Sequence, residues 1–491
     1  MFTAFTLAGV IWSVTSPLMS VPDEPAHAVK AVGIWRGQYQ GRPSLIPPRP
    51  GQTAAAYTYL VDVPSSYAAA GVLPQCFAFQ PDKTADCAPG PGTAGNIETA
   101  GTTAGAYPPL YYVLVGWPSR LLSAANGFYA MRIVSALLCA LLLTIAALAL
   151  RSIAPLWVTV VAISLAATPE VWFLAGSINP NGFEITAAAA AWTSALAVVT
   201  RTRDRAPVSR GLLVALSTST VLLAGSRPLS PLFAGMIFAF VFGTSGRATI
   251  RMLLRTRATL LALTVGAAGI LVSGLMVVLS PLDSVTQGAP VNPEVNLPVR
   301  LALSVDEWFG QMIAVFGWLD VGPVSTAVWT WLVALTLAAT TALLFGSRRD
   351  RWLVVAITVI AAFGPVALQY PVARGGGDLI WQGRYFLPIA IGVPFMIAVA
   401  LGNSSAVDIV ASRLAGTILF FVGVAHLASH LASAHRYAVG RDGRLFYLSG
   451  HQWSPPGGWS YWLGLTVLLW ASWASLTALF TSRGAPTTES G

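Results

Sequence analysis

Apolar runs long enough to cross a bilayer recur along this chain, and that recurrence limits the fold more than any other feature. About 20 helical residues span the roughly 30 Å hydrocarbon core. Twelve windows qualify: 2–21, 128–150, 153–174, 182–200, 211–225, 228–244, 258–280, 324–346, 352–370, 385–402, 406–428 and 460–481. Of 491 residues, 55% are hydrophobic and 10% charged, and mean hydropathy is +0.67. A soluble domain carries about 25% charged residues, so too little polar side chain is present to coat a water-facing surface. A soluble globular fold is excluded. The expected fold is all-α: a polytopic transmembrane helical protein of about 12 spans, with 1–484 as a single domain and 485–491 as a short polar tail.

The net charge of +9 does not mark a nucleic-acid binder, because the basic residues sit in short clusters between apolar runs. Membrane proteins distribute arginine in this way. A further segment, 108–124, is apolar but carries Pro108, Pro109, Trp117, Pro118 and Arg120. If it does not span and the N-terminus is cytoplasmic, five basic clusters fall inside: Arg151, 201–205, 247–257, 348–351 and Arg483. If it spans, all of them move outside. The positive-inside bias selects the first arrangement, and 108–124 reads as an amphipathic juxtamembrane helix at the outer interface. The first stretch lacks a small-residue cleavage site and reads as a retained span.

This topology leaves outer segments at 22–127, 281–323 and 429–459. The first is rich in Pro, Gly, Ala and Thr and shows turn signals without a helical period. It holds Cys76 and Cys87, which form a disulfide if the loop faces an oxidising compartment. Cys139, inside an apolar run, reads as a packing residue.

The polar residues outside the basic clusters gather on the predicted outer face. Pro22-Asp23-Glu24-Pro25-Ala26-His27 follows the first span, and Pro25 suits the first turn of a short helix. Asp23 and His27 are four apart, within reach of a hydrogen bond. A carboxylate at the lip of a membrane cavity is a reasonable general base; the plainer reading is a helix cap, and the residues alone leave both open. Tyr107-Pro108-Pro109-Leu110-Tyr111-Tyr112 fixes the chain direction and reads most simply as a headgroup anchor.

Arg132, Glu170, Asn179, Asn181 and Glu184 lie near the outer ends of spans. A charge there costs up to about 3 kcal/mol, so each needs a cavity or a partner, and Arg132 with Glu184 is the expected structural pair. Arg374-Gly375-Gly376-Gly377-Asp378 leads to Gln382-Gly383-Arg384-Tyr385. Glycine amides can approach an anion, and arginines on either side can grip a phosphate; a flexible loop with a snorkelling arginine is the alternative. Phe316-Gly317-Trp318-Leu319-Asp320, preceded by Asp306-Glu307-Trp308, looks like an interfacial turn in which Asp320 supports the same cavity or caps the next span.

No glycine-rich phosphate loop ending in Lys-Ser/Thr and no Gly-x-Ser-x-Gly elbow occurs. His426 and His430 lack a third ligand. No metal site is indicated, and the cofactor is left unassigned.

In order and spacing, several of these motifs resemble a bacterial family of membrane proteins of unassigned function in the GT-C glycosyltransferase clan. They are Pro-Asp-Glu-x-x-His at 22–27, Tyr-Pro-Pro-Leu-Tyr at 107–111, Asn-Pro-Asn-Gly at 179–182, Phe-Gly-Trp-Leu-Asp at 316–320 and Gly-Arg-Tyr-Phe-Leu-Pro at 383–388. The clan includes protein O-mannosyltransferases and the aminoarabinose transferase of lipid A. The resemblance implies a bacterial inner-membrane glycosyltransferase that takes a sugar from a polyprenyl-phosphate donor on the extracytoplasmic face. The acceptor would be an envelope glycan, lipid or protein, and membrane lipids would be further partners. It implies Asp23 as base, Glu24 as partner or substitute and His27 as orienting group, with Arg384, Arg374 and Arg132 on the donor phosphate. Tyr107, Pro108, Tyr111, Asn179, Asn181, Asp320, Gln382 and Tyr385 would line the cavity. One departure stands out: relatives often carry an aspartate in the second outer loop, where this chain has Asn179 and Asn181. The competing reading, a transporter or flippase of a lipid-linked saccharide, needs polar groups through the full thickness of the membrane.

Overall fold

A computed structural model describes residues 1–46, 56–280, 297–374, 381–402 and 411–482. The apolar segments form helices: α1 (Phe2–Thr15), α4 (Ala124–Arg151), α5 (Leu156–Ala166) with α6 (Pro169–Ala175), α7 (Pro180–Arg203), α8 (Arg210–Ala224), α9 (Ser230–Gly243), α11 (Arg257–Leu279), α13 (Ser325–Phe345), α14 (Arg348–Arg374), α15 (Gly383–Gly402), α16 (Ala411–Val439) and α17 (Trp459–Ser482). Between them lie α2 (Glu24–Ile34), α3 (Leu110–Val115), α10 (Arg247–Arg255) and α12 (Leu297–Ile313). The protein is a multi-pass helical membrane protein. Among the described residues seven helices are individually long and apolar enough to cross, or nine when two bent pairs each count as one span. Twelve crossings are therefore not established.

The differences from the sequence windows have local causes. Window 153–174 breaks into α5 and α6 with a 69° bend, because the residue before Pro169 is pushed out of helical geometry. Thr168 caps the new helix by accepting from the Val171 amide. The expected outer segment 429–459 begins with eleven more residues of helix, since α16 runs on to Val439 and stops at Gly440, whose φ is +79°. Segment 108–124 forms no helix long enough to span. Its six-residue α3 turns Tyr111 and Tyr112 fully inward, away from a headgroup position, while Val113, Trp117, Leu121 and Leu122 stay exposed.

Helix α7 lies at the centre, buried from Pro180 to Thr200. Its run Ala187–Ala191 offers small side chains that let neighbours approach closely. Trp192 fills the space beside it, donating Nε1–H to the Pro388 carbonyl at 3.0 Å. The basic turns meet at one end: Arg201 donates to the Ser152 carbonyl at 3.0 Å, and Arg349 to that of Thr244.

At the other end sits the long first loop, which contains a three-stranded antiparallel sheet that its composition did not announce. Strands β1 (Arg42–Ile46), β2 (Ala56–Pro64) and β3 (Ile97–Thr102) lie in the order 1-2-3, with Leu60 opposite Arg42 and Gly101. Val61 packs against Gly33 of α2, and Thr102 donates to the Ala26 carbonyl at 2.7 Å. Between β2 and β3, Cys76 and Cys87 are joined in a disulfide.

Arg132 of α4 ties this cap to the bundle. All five of its N–H groups are bonded: Nε and Nη2 to Glu24 at 2.7 and 2.6 Å, Nη1 to the carbonyls of Ser13 and Ser16, and Nη2 also to that of Pro17. Ser13 in the last turn of α1 and Ser16 at its C-cap are where helical carbonyls lack partners; α1 stops at Thr15, and the first window yields 14 helical residues. Glu24 also accepts from the Ile178 amide at 3.0 Å. The pair is wholly buried. Removing one member of such a pair leaves an uncompensated charge and costs about 3–5 kcal/mol. Arg132→Ala is expected to lower the apparent melting temperature in detergent sharply. The double variant Glu24→Leu/Arg132→Met should recover only part of that loss, because the Ser13 and Ser16 carbonyls lose their donor while that of Pro17 keeps the Ser20 amide; an unchanged melting temperature in Arg132→Ala would refute this role.

Candidate functional site

Glu24 and Asp23 are adjacent, yet the structure uses them in opposite ways. Glu24 is held inward by Arg132. Asp23, at the N-cap of α2, has φ +66° and makes no side-chain cap. That left-handed backbone is costly for a non-glycine residue and persists where the surroundings enforce it. It swings the carboxylate out to a half-exposed position, where Oδ2 accepts from Arg384 Nη2 at 2.6 Å.

Arg384 is 3% exposed and reaches Asp23 from the start of α15. The approach depends on Gly383, whose amide donates to Gln311 Oε1 at 2.7 Å. A Cβ there would sit 2.0 Å from the Trp308 carbonyl oxygen. Helix α12 thus seats the loop, aided by Trp308 Nε1 donating to the Trp381 carbonyl. With one N–H on Asp23, Arg384 keeps Nε and Nη1 buried and without a protein partner.

A second buried guanidinium stands nearby. Arg227, in the turn between α8 and α9, donates Nη1 to Asn181 Oδ1 at 2.5 Å and to Glu184 Oε2 at 3.2 Å. Ser230 fixes Glu184 through a 2.6 Å bond, and Arg227 Nε has no partner. The Tyr385 ring lies 4.9 Å from the Arg227 guanidinium and 5.3 Å from that of Arg384, and Tyr107 lies 5.9 Å from Arg227. Two cations with unused donors therefore flank one aromatic ring beside an accessible carboxylate. Glu170, buried with Oε2 unpartnered, lies within electrostatic reach of Arg384, and Gln382 Oε1 is also unpartnered.

The remaining expected residues divide. Asp23, Arg384, Tyr107 and Tyr385 come together. Asn181 holds Arg227, and Asn179 bonds both Asn181 and the Pro22 carbonyl, the latter at 3.0 Å. Pro108 faces a cleft shared with Met276 and Leu279 of α11. Tyr111 lies behind the site on Ser135 at 3.1 Å. Glu24 is too buried to act as a base, and Arg132 has no N–H left for a phosphate. Arg132 does not pair with Glu184, whose partner is Arg227. Asp320 is elsewhere: it accepts from Arg436 at 2.7 Å and from the Trp318 amide. Arg374 ends α14 in an exposed position, so one of the two flanking arginines is buried at the site; Gly375, Gly376, Gly377 and Asp378 lie outside the described residues. Among the described residues no group of three or more His, Cys, Asp or Glu comes together.

His27 does not bond Asp23. Its Nδ1 meets the Tyr112 hydroxyl at 2.9 Å. Burial pushes its pKa from 6.5 down to about 3, with Asp23 opposing and Arg227 and Arg384 adding to the shift. It is neutral at ordinary pH.

The family described as "Predicted membrane protein (DUF2142)" matches residues 5–393. The chain belongs to that family. No curated protein matches it. Among solved structures, ArnT from Cupriavidus metallidurans in the apo state aligns over 96% of this chain and 76% of its own, with 14% identity and a TM-score of 0.43; at that similarity nothing about this chain follows from it.

Because the folded state resists protonating His27 while the unfolded state does not, stability falls as pH drops from 6.5 toward 3. One extra proton on the unfolded chain corresponds to about 1.4 kcal/mol per pH unit. His27→Asn should flatten the decline of melting temperature with pH in that window. A decline identical to wild type would show that His27 is not the buried neutral group described.

Proposed function

We propose that this protein is a membrane glycosyltransferase that moves a sugar from a polyprenyl-phosphate donor to an envelope acceptor on the extracytoplasmic face of the bacterial inner membrane. The observation that carries this reading is the pair of buried arginines, Arg384 and Arg227, with unused N–H groups beside half-exposed Asp23. Guanidinium donors in a water-poor pocket suit a phosphate, which offers several acceptor oxygens to planar N–H forks. The GT-C resemblance of the motifs at 22–27, 107–111 and 383–388 supports the same chemistry.

A second feature favours a lipid-borne donor. An almost wholly apolar cavity lies between α5, α12, α13, α14 and α15, lined by Leu165, Met312, Ile313, Trp331, Leu387 and Ile391 among others. Leu387 follows Arg384 by three residues. A prenyl chain in this slot would bring its phosphate up to the arginines.

In the reaction, an acceptor hydroxyl oxygen bonds the anomeric carbon while the bond from that carbon to the phosphate oxygen breaks. The electron pair leaves with the polyprenyl phosphate, and the hydroxyl proton passes to Asp23. Arg384 spans the two functions, orienting Asp23 through one nitrogen and offering the others to the leaving group. Charge held by donors fixed in advance lowers the barrier without acid assistance. Glu24 and Arg132 have no chemical part.

The transporter reading finds less support. The pairs Arg132–Glu24, Arg227–Glu184, Arg384–Asp23 and Arg436–Asp320 all lie at the end of the bundle that carries the long loop, whereas alternating access places substrate groups near the midplane between halves of the protein. With purified protein, polyprenyl-phosphate sugars and envelope acceptors, Asp23→Asn is expected to lower turnover at least about 100-fold. Arg384→Gln and Arg227→Gln should each weaken use of the donor about 10-fold or more. Equal turnover of Asp23→Asn and wild type would remove the base; lipid movement without a new glycosidic bond would favour the transporter.

A further inference from the structure

The long loop carries a cleft that the proposed transfer chemistry does not use. It is lined by Pro25, Ala26 and Val29 of α2, the helix that starts beside Asp23, by a polar wall of Asn96 and Glu98, and by Gln75. Two aromatic rings also line it. Phe79 is 68% exposed, and its ring lies 5.4 Å from that of Trp318.

Phe79 is held there firmly. Its φ of +59° is unfavourable for a bulky side chain, and strain of this kind marks positions over-determined by their surroundings. The determinants are visible. The disulfide Cys76–Cys87 closes the turn that bears Phe79. Arg436 of α16 donates to the carbonyls of Phe77 at 2.8 Å, Gln80 at 3.0 Å and Lys83. Phe77, two residues before Phe79, is fully buried against Tyr437. Trp318 is fixed in turn by its Nε1–H on the Met19 carbonyl at 3.1 Å. An exposed aromatic ring is thus braced in an open position at the cleft.

The lining identifies the class of ligand. Among the described residues around the cleft, Glu98 is the one ionisable side chain, and there is no lysine or arginine. An anion has no partner here. A pyranose has an apolar C–H face for an aromatic ring and a rim of hydroxyls for amide and carboxylate groups. The polar wall is already ordered: Asn96 donates to Glu98 Oε1 at 3.1 Å and accepts from Ser65 at 2.9 Å.

We infer that this cleft binds a neutral saccharide, with Phe79 and Trp318 as its stacking platform. That the saccharide is the acceptor rests on the transferase reading; that a saccharide binds does not. The test is calorimetric titration of the full-length protein in detergent, without donor, using linear tetrasaccharides of mannose, glucose and galactose. At least one is expected to bind saturably. Phe79→Ala should weaken it 10-fold or more, Phe79→Trp should retain it, and Phe446→Ala, which removes another exposed ring outside the cleft, should leave it unchanged. Absence of saturable binding by all three sugars, or equal affinity in Phe79→Ala and wild type, would overturn the inference. Binding with no transfer from any donor would keep the cleft and remove the transferase. Transfer whose acceptor KM is unmoved by Phe79→Ala would remove the cleft's acceptor role alone.

Discussion

The geometry of the candidate site depends on one buried ion pair, Arg132 with Glu24. Arg132 gathers the terminal carbonyls of α1, the first residue of α2 and, through Glu24, the amide of Ile178. Four pieces of chain meet at a single guanidinium. Because Glu24 is drawn inward, the preceding residue has to turn outward, and its left-handed backbone carries the Asp23 carboxylate toward Arg384. The two acidic neighbours look interchangeable in the sequence and are opposites in the structure. An ion pair without access to water is stable only when every donor and acceptor is matched, and here all five donors are.

The same logic ranks the buried arginines by how completely they are matched. Arg132 has every N–H bonded and braces the end of α1, while Arg436 braces the disulfide-closed loop through three carbonyls and Asp320 with its Nε left over. Arg384 and Arg227 keep buried N–H groups that no protein atom accepts. Buried polar atoms are seldom left unmatched, and the free donors of Arg384 and Arg227, which share the Tyr385 ring beside half-exposed Asp23, are the basis of the proposed phosphate site. Helix α7 connects the two groups, since Asn179 at its cap holds the Pro22 carbonyl while Asn181 and Glu184 hold Arg227.

Much of the architecture was legible in the sequence, because hydrophobic length is a one-dimensional property. Each of the twelve apolar windows is helical over at least part of its described residues, and the proline-bearing segment 108–124 forms only short helical turns. Broken helices were less visible: the bend at Thr168-Pro169 needs only one residue, and the window average smooths it away. The sheet in the first loop was hidden because β2 gains its partners from β1 and from β3, more than thirty residues farther along the chain. At the site, Asp23 and Arg384 could be singled out by their position beside spans. Their pairing could not, since 361 positions separate them. Arg227 was passed over, although a lone arginine in a short turn on the face that should be poor in basic residues was the available signal. Arg132 was assigned the wrong partner and the wrong role, because a charge near a span end says that a partner exists and not which one.

The central claim is that Arg384 and Arg227 receive the phosphate of a lipid carrier beside Asp23. It is tested most directly by an experimental structure of the full chain in lipid nanodiscs with a polyprenyl monophosphate. The account predicts phosphate density within hydrogen-bonding distance of Arg384 Nε or Nη1 and of Arg227, with the prenyl chain entering the cavity lined by Leu165, Met312 and Leu387. Phosphate density bound elsewhere, with the Arg384 and Arg227 donors still facing nothing, would contradict it.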